Sequence, residues 1–551
     1  MEGSRTRSSN LTRGASIMVA CVTIAKLLGL IYIFPLTRLI GDAGIGIYAN
    51  AYNLYAILLT LSTAGFPTAM GKVIAERLAL RQYREVEEVY RTTLRTVFCL
   101  GAALFVVMWF GAPVYSRLVA LKAPGASAQS LVWSVRAVAP CLLLVPVMSA
   151  LRGYLQGFQR LEPSAYSQAI EQLVRVVAIV AGAAWIMQRT HGNVAAGAAA
   201  ATFGAVAGAA AGLLWLWAAV WPLRREFKHR MLRSRFRPRR RSGAFRALAA
   251  VALPVSLGAL VVPFSGVVDS LTVQNLLLWG GASLTEAEAR YGVLSRQAFQ
   301  LIQLPLAFAM AVGASVLPAI ASAVASRDGA AVARHTAGTL RSMFLITVPV
   351  AAALLVLAQP LDLVLFGKTE GAPIIASVSF MGIFSSLELT STYMLQGLGQ
   401  MYRPVRNMFL GIFVKLLLNF ALIIPFGIMG AAVSSTVGYL FSSTLNVLAV
   451  KKYGQLRLSV LRLAGPFIVS GVILAGVMGG VRAGVTAGLA RFGHPAGLWA
   501  AVCELLAALA TGGAVYLFTV IRMRAVTAAE LARLPAVGGR LSRLAARWQA
   551  R

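Results

Sequence analysis

Acidic residues are scarce in this sequence. Only 18 of its 551 residues are Asp or Glu, and charged residues of both signs make up 13%. Soluble domains carry about 25% charged residues, so the composition excludes a soluble globular protein. So few carboxylates also leave little material for a membrane glycosyltransferase or polymerase, and no paired-carboxylate, metalloprotease or nucleophile-elbow motif is present. We therefore predict that the chain is not an enzyme.

Cysteine and histidine are scarce as well, with four residues of each type. Cys21, Cys99, Cys141 and Cys503 all fall in apolar segments without a close pairing, which is typical of small buried side chains rather than of a disulfide framework. The four histidines are scattered, and none has a partner at metal-ligand spacing. The sequence predicts neither a metal site nor a bound cofactor.

Long hydrophobic runs are abundant instead. Hydrophobic residues make up 58% of the chain. Runs of about 20 residues, enough to cross a ~30 Å hydrocarbon core as a helix, recur from end to end. The expected fold class is an all-α polytopic membrane protein with about fourteen transmembrane helices. Their predicted bounds are 14–37, 45–70, 92–112, 131–151, 164–187, 194–221, 247–278, 298–323, 342–361, 373–396, 408–426, 429–450, 463–481 and 496–521.

Lys and Arg are distributed unevenly between the loops. If the N-terminal tail is cytoplasmic, the tails and loops on that side hold 37 of the 51 Lys and Arg residues, and the opposite side holds 9. Positive residues favour the cytoplasm, so we expect a cell-membrane protein with both termini cytoplasmic. The densest basic cluster, residues 224–241, and an amphipathic basic tail at 527–551 are expected to contact anionic membrane lipids rather than nucleic acid.

Short matches between the two halves of the chain indicate an internal repeat. TTLRTVF at 92–98 parallels GTLRSMF at 338–344, and RGYLQGFQRLEP at 152–163 parallels TYMLQGLGQMYRP at 392–404. Two pseudo-symmetric six-helix lobes are therefore predicted, with a substrate site between them near the membrane midplane. The predicted domains are an N-terminal lobe at 1–221, a basic cytoplasmic linker at 222–246, a C-terminal lobe at 247–450, two extra helices at 451–521 and a basic tail at 522–551.

Ionisable and polar residues lie inside several predicted spans, where they are costly and typical of functional sites. Lys26 lies half-way along the first span, without an acidic residue within one helical turn. A cation at that position suits an anionic ligand such as a phosphate. The other candidates for a substrate-binding cavity are Gln168, Glu171 and Arg175 in span five, Asp269 in span seven, Glu388 in span ten, and Lys415 and Asn419 in span eleven.

Some of these patterns have a structural interpretation as well. Glu171 and Arg175 are four residues apart on one predicted helix and can neutralise each other. Asp269 can pair with a cation from the other half as a packing contact. A glycine series with a period of four, at Gly204, Gly208 and Gly212, predicts close helix packing rather than ligand binding.

Several segments resemble a known family. AKLLGLIYIFPLTRLIGDAGIGIYANAYNLYAILLTLSTAGFPTAMGKVIAE at 25–76, LPVSLGALVVPFSGVVDS at 253–270 and LQGLGQMYRPVRNMFLGIFVKLLLN at 395–419 are similar to polysaccharide biosynthesis and export proteins of the stage V sporulation protein B type. That family is related to MurJ-type lipid II flippases, in a superfamily that includes multidrug exporters. The resemblance implies two six-helix lobes around a central cavity, two extra C-terminal helices, and transport of lipid-linked saccharides.

The resemblance also bears on single residues. Lys26 matches a basic residue of the first helix that serves a cationic cavity in MurJ-type proteins, and Asp269 matches the aspartate of the family pattern. Gln300 and Gln303 stand where MurJ-type proteins carry an arginine and a glutamate, so they join the candidate cavity residues. The cavity implied for this chain is therefore less cationic than that of MurJ-type proteins.

The resulting hypothesis is a monomeric flippase that moves an undecaprenyl-pyrophosphate-linked saccharide, a precursor of peptidoglycan or another cell-wall polysaccharide, by alternating access. Lys26, Arg175 and Lys415 would hold the pyrophosphate. Coupling to Na⁺ or H⁺ through Asp269 or Glu388 is open. The alternatives are a cation-coupled multidrug exporter of the same superfamily, or a scaffold that recruits wall enzymes through its basic segments.

Overall fold

A computed structural model describes residues 31–63, 65–121, 126–232, 259–454, 459–491 and 497–525, together with residues 17, 21, 24, 25, 28, 29, 248 and 256. Within these residues the chain is helical and contains no β-strand, which confirms the predicted all-α class. By its internal contacts the chain forms two compact units, Met1–Gly292 and Val293–Arg551.

The first unit contains nine described α-helices. They are α1 (Ile33–Thr63), α2 (Phe66–Ala79), α3 (Tyr83–Val119), α4 (Ala126–Val138), α5 (Cys141–Gly157), α6 (Glu162–Arg189), α7 (Val194–Leu232), α8 (Val261–Trp279) and α9 (Leu284–Gly292). Helix α1 is interrupted at Gly41, whose φ of 68° and ψ of 176° are not helical. Glycine adopts this backbone conformation without a steric penalty, and the break falls inside the loop predicted at 38–44.

The second unit begins with a π-helix, Val293–Ala298, and continues with nine described α-helices. They are α10 (Phe299–Ala325), α11 (Gly329–Val356), α12 (Ala358–Phe366), α13 (Ala372–Ser377), α14 (Met381–Gly397), α15 (Tyr402–Phe426), α16 (Ile428–Tyr453), α17 (Val460–Arg491) and α18 (Leu498–Arg522). The last two helices are fixed by polar contacts: Arg482 Nε lies 3.4 Å from Glu504, and a guanidinium nitrogen of Arg482 donates to the Val356 carbonyl at 3.0 Å.

Twelve described helical segments are long and apolar enough to cross a membrane. They correspond to predicted spans two to six and eight to fourteen. The first predicted span, 14–37, and the seventh, 247–278, lie partly outside the described residues, so the count of fourteen is approximate. The segment predicted as a linker from residue 222 is helical at its start, since α7 continues to Leu232.

The boundary between the two units lies after α8 and α9 rather than before them. Two asparagines of α1 hold these helices in the first unit. Asn50 Nδ2 donates to Gln274 Oε1 at 3.0 Å, and Asn53 Nδ2 donates to Tyr291 Oη at 2.8 Å. Amide hydrogen bonds between helices are favoured in an apolar surrounding because unpaired polar groups are costly there. This division by internal contacts does not test the predicted lobe boundaries, which remain predictions.

The internal repeat is visible as equivalent helix contacts within each unit. A Cβ atom added at Gly157 would lie 2.7 Å from Ile74 Cβ, and one added at Gly397 would lie 3.0 Å from Ile320 Cβ. Gly157 and Gly397 are 240 residues apart, which is the offset of the LQG repeat, and each contacts an isoleucine of the second helix of its half, α2 or α10. The same helix-to-helix approach is thus built in both halves.

We predict that Gly46 is required for packing of α9 on α1. A Cβ atom at Gly46 would overlap the carbonyl oxygen of Glu288, and backbone cannot move aside cheaply. Gly46→Val should therefore destabilise the folded protein by about 1–3 kcal/mol or more, measured as the free energy of unfolding in an SDS titration. Gly476→Ala is the control, because no atom lies within 4 Å of its added Cβ. Equal stability of both variants would contradict this packing.

Candidate functional site

A cluster of three ionised side chains is buried in the first unit. The carboxylate of Glu171 on α6 accepts from two arginines: its Oε2 atom lies 2.7 Å from a guanidinium nitrogen of Arg152 on α5, and its Oε1 atom accepts from Arg175 on α6. The three side chains are only 12–17% exposed. We call Arg152, Glu171 and Arg175 the arginine cluster.

Glycines on α7 bring the backbone of α6 close to that helix at the arginine cluster. A Cβ atom at Gly208 would lie 2.6 Å from both Arg175 Cβ and the Glu171 carbonyl oxygen, and one at Gly212 would lie 3.1 Å from Glu171 Cβ. The predicted role of this glycine series in helix packing is therefore confirmed. Only glycine permits this separation, so α7 covers one side of the cluster with backbone.

Arg152 is held in place by α6 as well as by its ion pair. Its Nε atom donates to Ser167 Oγ at 2.9 Å, and a terminal guanidinium nitrogen donates to the same oxygen at 2.8 Å. Ser167 is fully buried. The guanidinium plane is therefore fixed by two partners, Ser167 and Glu171, one turn apart on the same helix.

The cluster carries one more positive charge than negative charge. Two guanidinium groups face one carboxylate. Arg175 Nε is buried and has no hydrogen-bond partner among the described residues. A buried charge without full compensation is costly, so this arrangement is suited to an additional anion.

The sequence predicted part of this cluster. The predicted contact between Glu171 and Arg175 is present. Arg152 also pairs with Glu171, so the three side chains together keep one net positive charge. Arg152 was missed because the predicted span ends at residue 151, whereas α5 continues to Gly157. Gln168, on the same helix, is partly exposed.

Lys26 lies outside the described residues. Gly29, three residues later, is described, and a Cβ atom added there would lie 3.1 Å from Gln172 Nε2 on α6. Gln172 Oε1 in turn accepts from Arg175 at 3.4 Å. The helical residue Gly29 therefore contacts the same face of α6 that carries the arginine cluster.

The other sequence candidate in the first unit is Asp269. It is buried on α8, next to the buried residue Ser270. Ser270 lies in the hydrogen-bonded group that joins α8 to α1, because Asn53 Nδ2 donates to its Oγ atom at 3.1 Å. The carboxylate of Asp269 is thus on a helix that is firmly held by α1.

A second polar group, of different character, is buried in the second unit. Glu388 Oε1 on α14 accepts from Thr392 Oγ1 at 3.1 Å and from Asn446 Nδ2 at 3.4 Å. Asn446 Oδ1 accepts from Asn407 Nδ2 at 2.9 Å. Among the described residues these partners of the carboxylate are all neutral, so Glu388 is held by hydrogen bonds rather than by an ion pair.

The remaining candidates are on α10 and α15 of the second unit. Lys415 and Asn419 are buried one turn apart on α15. A Cβ atom added at Gly438 of α16 would lie 3.0 Å from Lys415 Cβ, so the two helices are close at this point. Gln300 is partly buried and Gln303 is exposed on α10. The assignment of these residues to a substrate cavity stays a prediction.

Helices that can span a membrane and carry buried ionisable side chains are typical of multi-span membrane transporters. The comparisons with known proteins agree and go further. A family model described as "Polysaccharide biosynthesis protein" matches residues 11–324. The chain belongs to this family, which confirms the resemblance and indicates transport rather than an enzymatic activity.

Named relatives cover almost the whole chain. It is 25% identical to the lipid II flippase MurJ of Bacillus subtilis (strain 168) over 526 residues, 94% of this chain and 96% of that protein. It is also 25% identical to stage V sporulation protein B of the same organism over 533 residues, 96% of this chain and 98% of that protein. A solved structure of lipid II flippase MurJ in an inward closed conformation has the same fold, with a TM-score of 0.62 at 13% identity, covering 92% of this chain and 98% of that one.

We predict that Glu171 stabilises the fold by separating two like charges. Glu171→Gln leaves two guanidinium groups together and should lower the free energy of unfolding by about 3–5 kcal/mol. The double variant Arg152→Gln/Glu171→Gln removes one charge of each sign and should recover part of this loss. SDS titration of both variants checks the prediction. A double variant that is less stable than Glu171→Gln would contradict the proposed charge balance.

Proposed function

We propose that the chain is a flippase that moves an undecaprenyl-pyrophosphate-linked saccharide from the inner to the outer leaflet of the cell membrane by alternating access. The saccharide is a precursor of peptidoglycan or of another cell-wall polysaccharide. Support comes from the family, whose relatives include a lipid II flippase and a sporulation protein, and from the excess positive charge of the arginine cluster.

The arginine cluster is the observation that carries this proposal. A pyrophosphate presents several anionic oxygens, and guanidinium groups bind such oxygens through paired hydrogen bonds. Arg175 offers an unpaired Nε donor, and the cluster has the spare positive charge that a pyrophosphate would compensate. Glu171 keeps the two guanidinium groups at a fixed separation in the absence of the ligand.

Lys26 is proposed as a further cation for the same headgroup. It precedes Gly29 by three residues in the sequence. Gly29 contacts Gln172, which is hydrogen-bonded to Arg175. Lys415, on the second unit, is proposed to contact the headgroup at another stage of transport.

The predicted orientation fits the direction of transport. With both termini cytoplasmic, an inside-negative potential favours outward movement of an anionic headgroup. Two negative charges gain about 4–5 kcal/mol per 100 mV. We also propose that the protein works as a monomer in contact with anionic lipids.

Glu388 is proposed as the group through which Na⁺ or H⁺ is coupled to transport. It is a buried carboxylate whose described partners, Thr392 and Asn446, are neutral oxygen and amide groups. Such a carboxylate can bind a proton or a hard monovalent cation without first breaking an ion pair.

We predict that the excess positive charge is needed for transport. Arg175→Gln leaves a neutral Arg152–Glu171 pair, and Lys26→Ala removes the proposed third cation. In a bacterium depleted of its own lipid II flippase, each variant should restore growth and surface labelling of the lipid-linked precursor at least about tenfold less well than the native chain, which corresponds to about 1.4 kcal/mol.

Lys72→Ala is the matched control, because Lys72 is an exposed basic residue of α2. It should complement as well as the native chain at equal protein level. Full complementation by Arg175→Gln and by Lys26→Ala would refute the anion site. A native chain that fails to complement, but lowers the susceptibility of cells to cationic drugs, would favour the exporter alternative.

We predict that Glu388→Gln uncouples transport from the cation gradient. In proteoliposomes the native chain should move the precursor faster when a Na⁺ or H⁺ gradient is applied, and the variant should respond to neither. Glu370→Gln, at an exposed carboxylate, is the control and should keep the native response. A Glu388→Gln variant with an unchanged gradient response would exclude this residue as the coupling group.

A further inference from the structure

Helix α7 is longer than a membrane span requires. Its 39 residues correspond to about 58 Å at 1.5 Å per residue, whereas the hydrocarbon core is about 30 Å thick. The helix therefore extends beyond the hydrocarbon region at one end or at both ends.

One face of α7 shows where the helix leaves the apolar region. Leu214, Trp217 and Trp221 are 64%, 59% and 63% exposed, and Arg225 and Lys228 are exposed as well. Their spacing of three or four residues places them on a single face. We call these five residues the α7 stripe.

The order of side chains along the α7 stripe follows the polarity profile of one membrane leaflet. An aliphatic residue is followed by two tryptophans, whose rings lie 5.8 Å apart in an edge-to-face arrangement, and then by two cations. Tryptophan is enriched at the level of the lipid headgroups, and cations just beyond it contact their phosphates. The stripe therefore spans the boundary between acyl chains and headgroups.

The side of α7 next to the stripe is packed against α3, which fixes the direction in which the stripe faces. Arg224 lies 2.7 Å from Glu87 and 4.0 Å above the ring of Tyr90, and Phe227 packs edge-to-face on Tyr83. Arg224 and Phe227 each stand one position before a stripe residue, Arg225 and Lys228. The helix cannot rotate about its axis without breaking all of them.

The charge of the exposed face is predominantly positive. Arg225 and Lys228 belong to the α7 stripe, whereas the acidic neighbour Glu226 is about 100° around the helix from Arg225. Arg91 on α3, with a side chain that is 63% exposed, adds a further cation at this end of the unit. Its partner Glu87 is shared with Arg224.

We propose that the α7 stripe binds an anionic phospholipid. The headgroup phosphate contacts Arg225 and Lys228, the glycerol region lies at the two tryptophans, and an acyl chain lies along Leu214. A lipid with net negative charge is preferred to a zwitterionic lipid because, within the described range Val194–Leu232, the face of α7 that carries the two cations has no acidic residue. This inference does not depend on the transported cargo.

The test uses the tryptophans as reporters. The full-length protein is reconstituted in bilayers that contain brominated phosphatidylglycerol in phosphatidylcholine, or the reverse, and tryptophan quenching gives the relative affinity for the two lipids. The native chain should prefer phosphatidylglycerol. Arg225→Gln/Lys228→Gln should reduce this preference by at least about fivefold, the effect of one basic side chain at an anionic surface, and Arg225→Glu/Lys228→Glu should reduce it further.

Two controls separate this site from general charge. Arg117→Gln/Arg189→Gln removes two exposed cations at the opposite ends of α3 and α6 and should leave the preference unchanged. Trp217→Phe/Trp221→Phe should remove the component of quenching that is selective for phosphatidylglycerol. An unchanged preference in Arg225→Gln/Lys228→Gln, or an equal loss in Arg117→Gln/Arg189→Gln, would overturn the proposal.

Discussion

The cost of ionised groups in an apolar surrounding shapes this protein more than any other constraint. Buried charges need partners, and the ion pairs described above join neighbouring helices. Glu171 joins α5 to α6 through Arg152, and Glu504 joins α18 to α17 through Arg482. Where compensation is incomplete, as in the arginine cluster, the surplus charge is the strongest indication of function.

The two units use different polar chemistry at related positions. Arg152 and Thr392 are equivalent in the sequence repeat, as are Arg175 and Lys415. In the first unit the position near the end of LQG-containing helix α5 carries a guanidinium paired with a carboxylate. In the second unit the equivalent threonine donates to Glu388, which has neutral partners. The proposed pyrophosphate site is in the first unit, and the proposed coupling carboxylate is in the second.

Hydropathy predicted the all-α class and most spans because burial in lipid requires long apolar runs. It did not predict that some helices continue past the apolar run, with polar residues that pack on neighbouring helices. Arg152 lies just beyond an apolar run, and Arg224 and Phe227 lie beyond another, yet all three are on helices that pack on neighbours. The assignment of α8 to the first unit was also inaccessible, because it depends on amide contacts of Asn50 and Asn53 that no periodicity shows. Glu171 and Arg175 could be paired in advance because both are on one helix.

Gly157 and Gly397 are equivalent positions of the repeat, and each lets its helix approach the second helix of its half closely. Both halves thus have a glycine where these helices approach, whereas the ionisable residues near it differ between the halves. The ionisable residues do not set the distance between the helices. New cargo specificity can therefore arise in such a molecule by exchange of polar side chains on an unaltered frame.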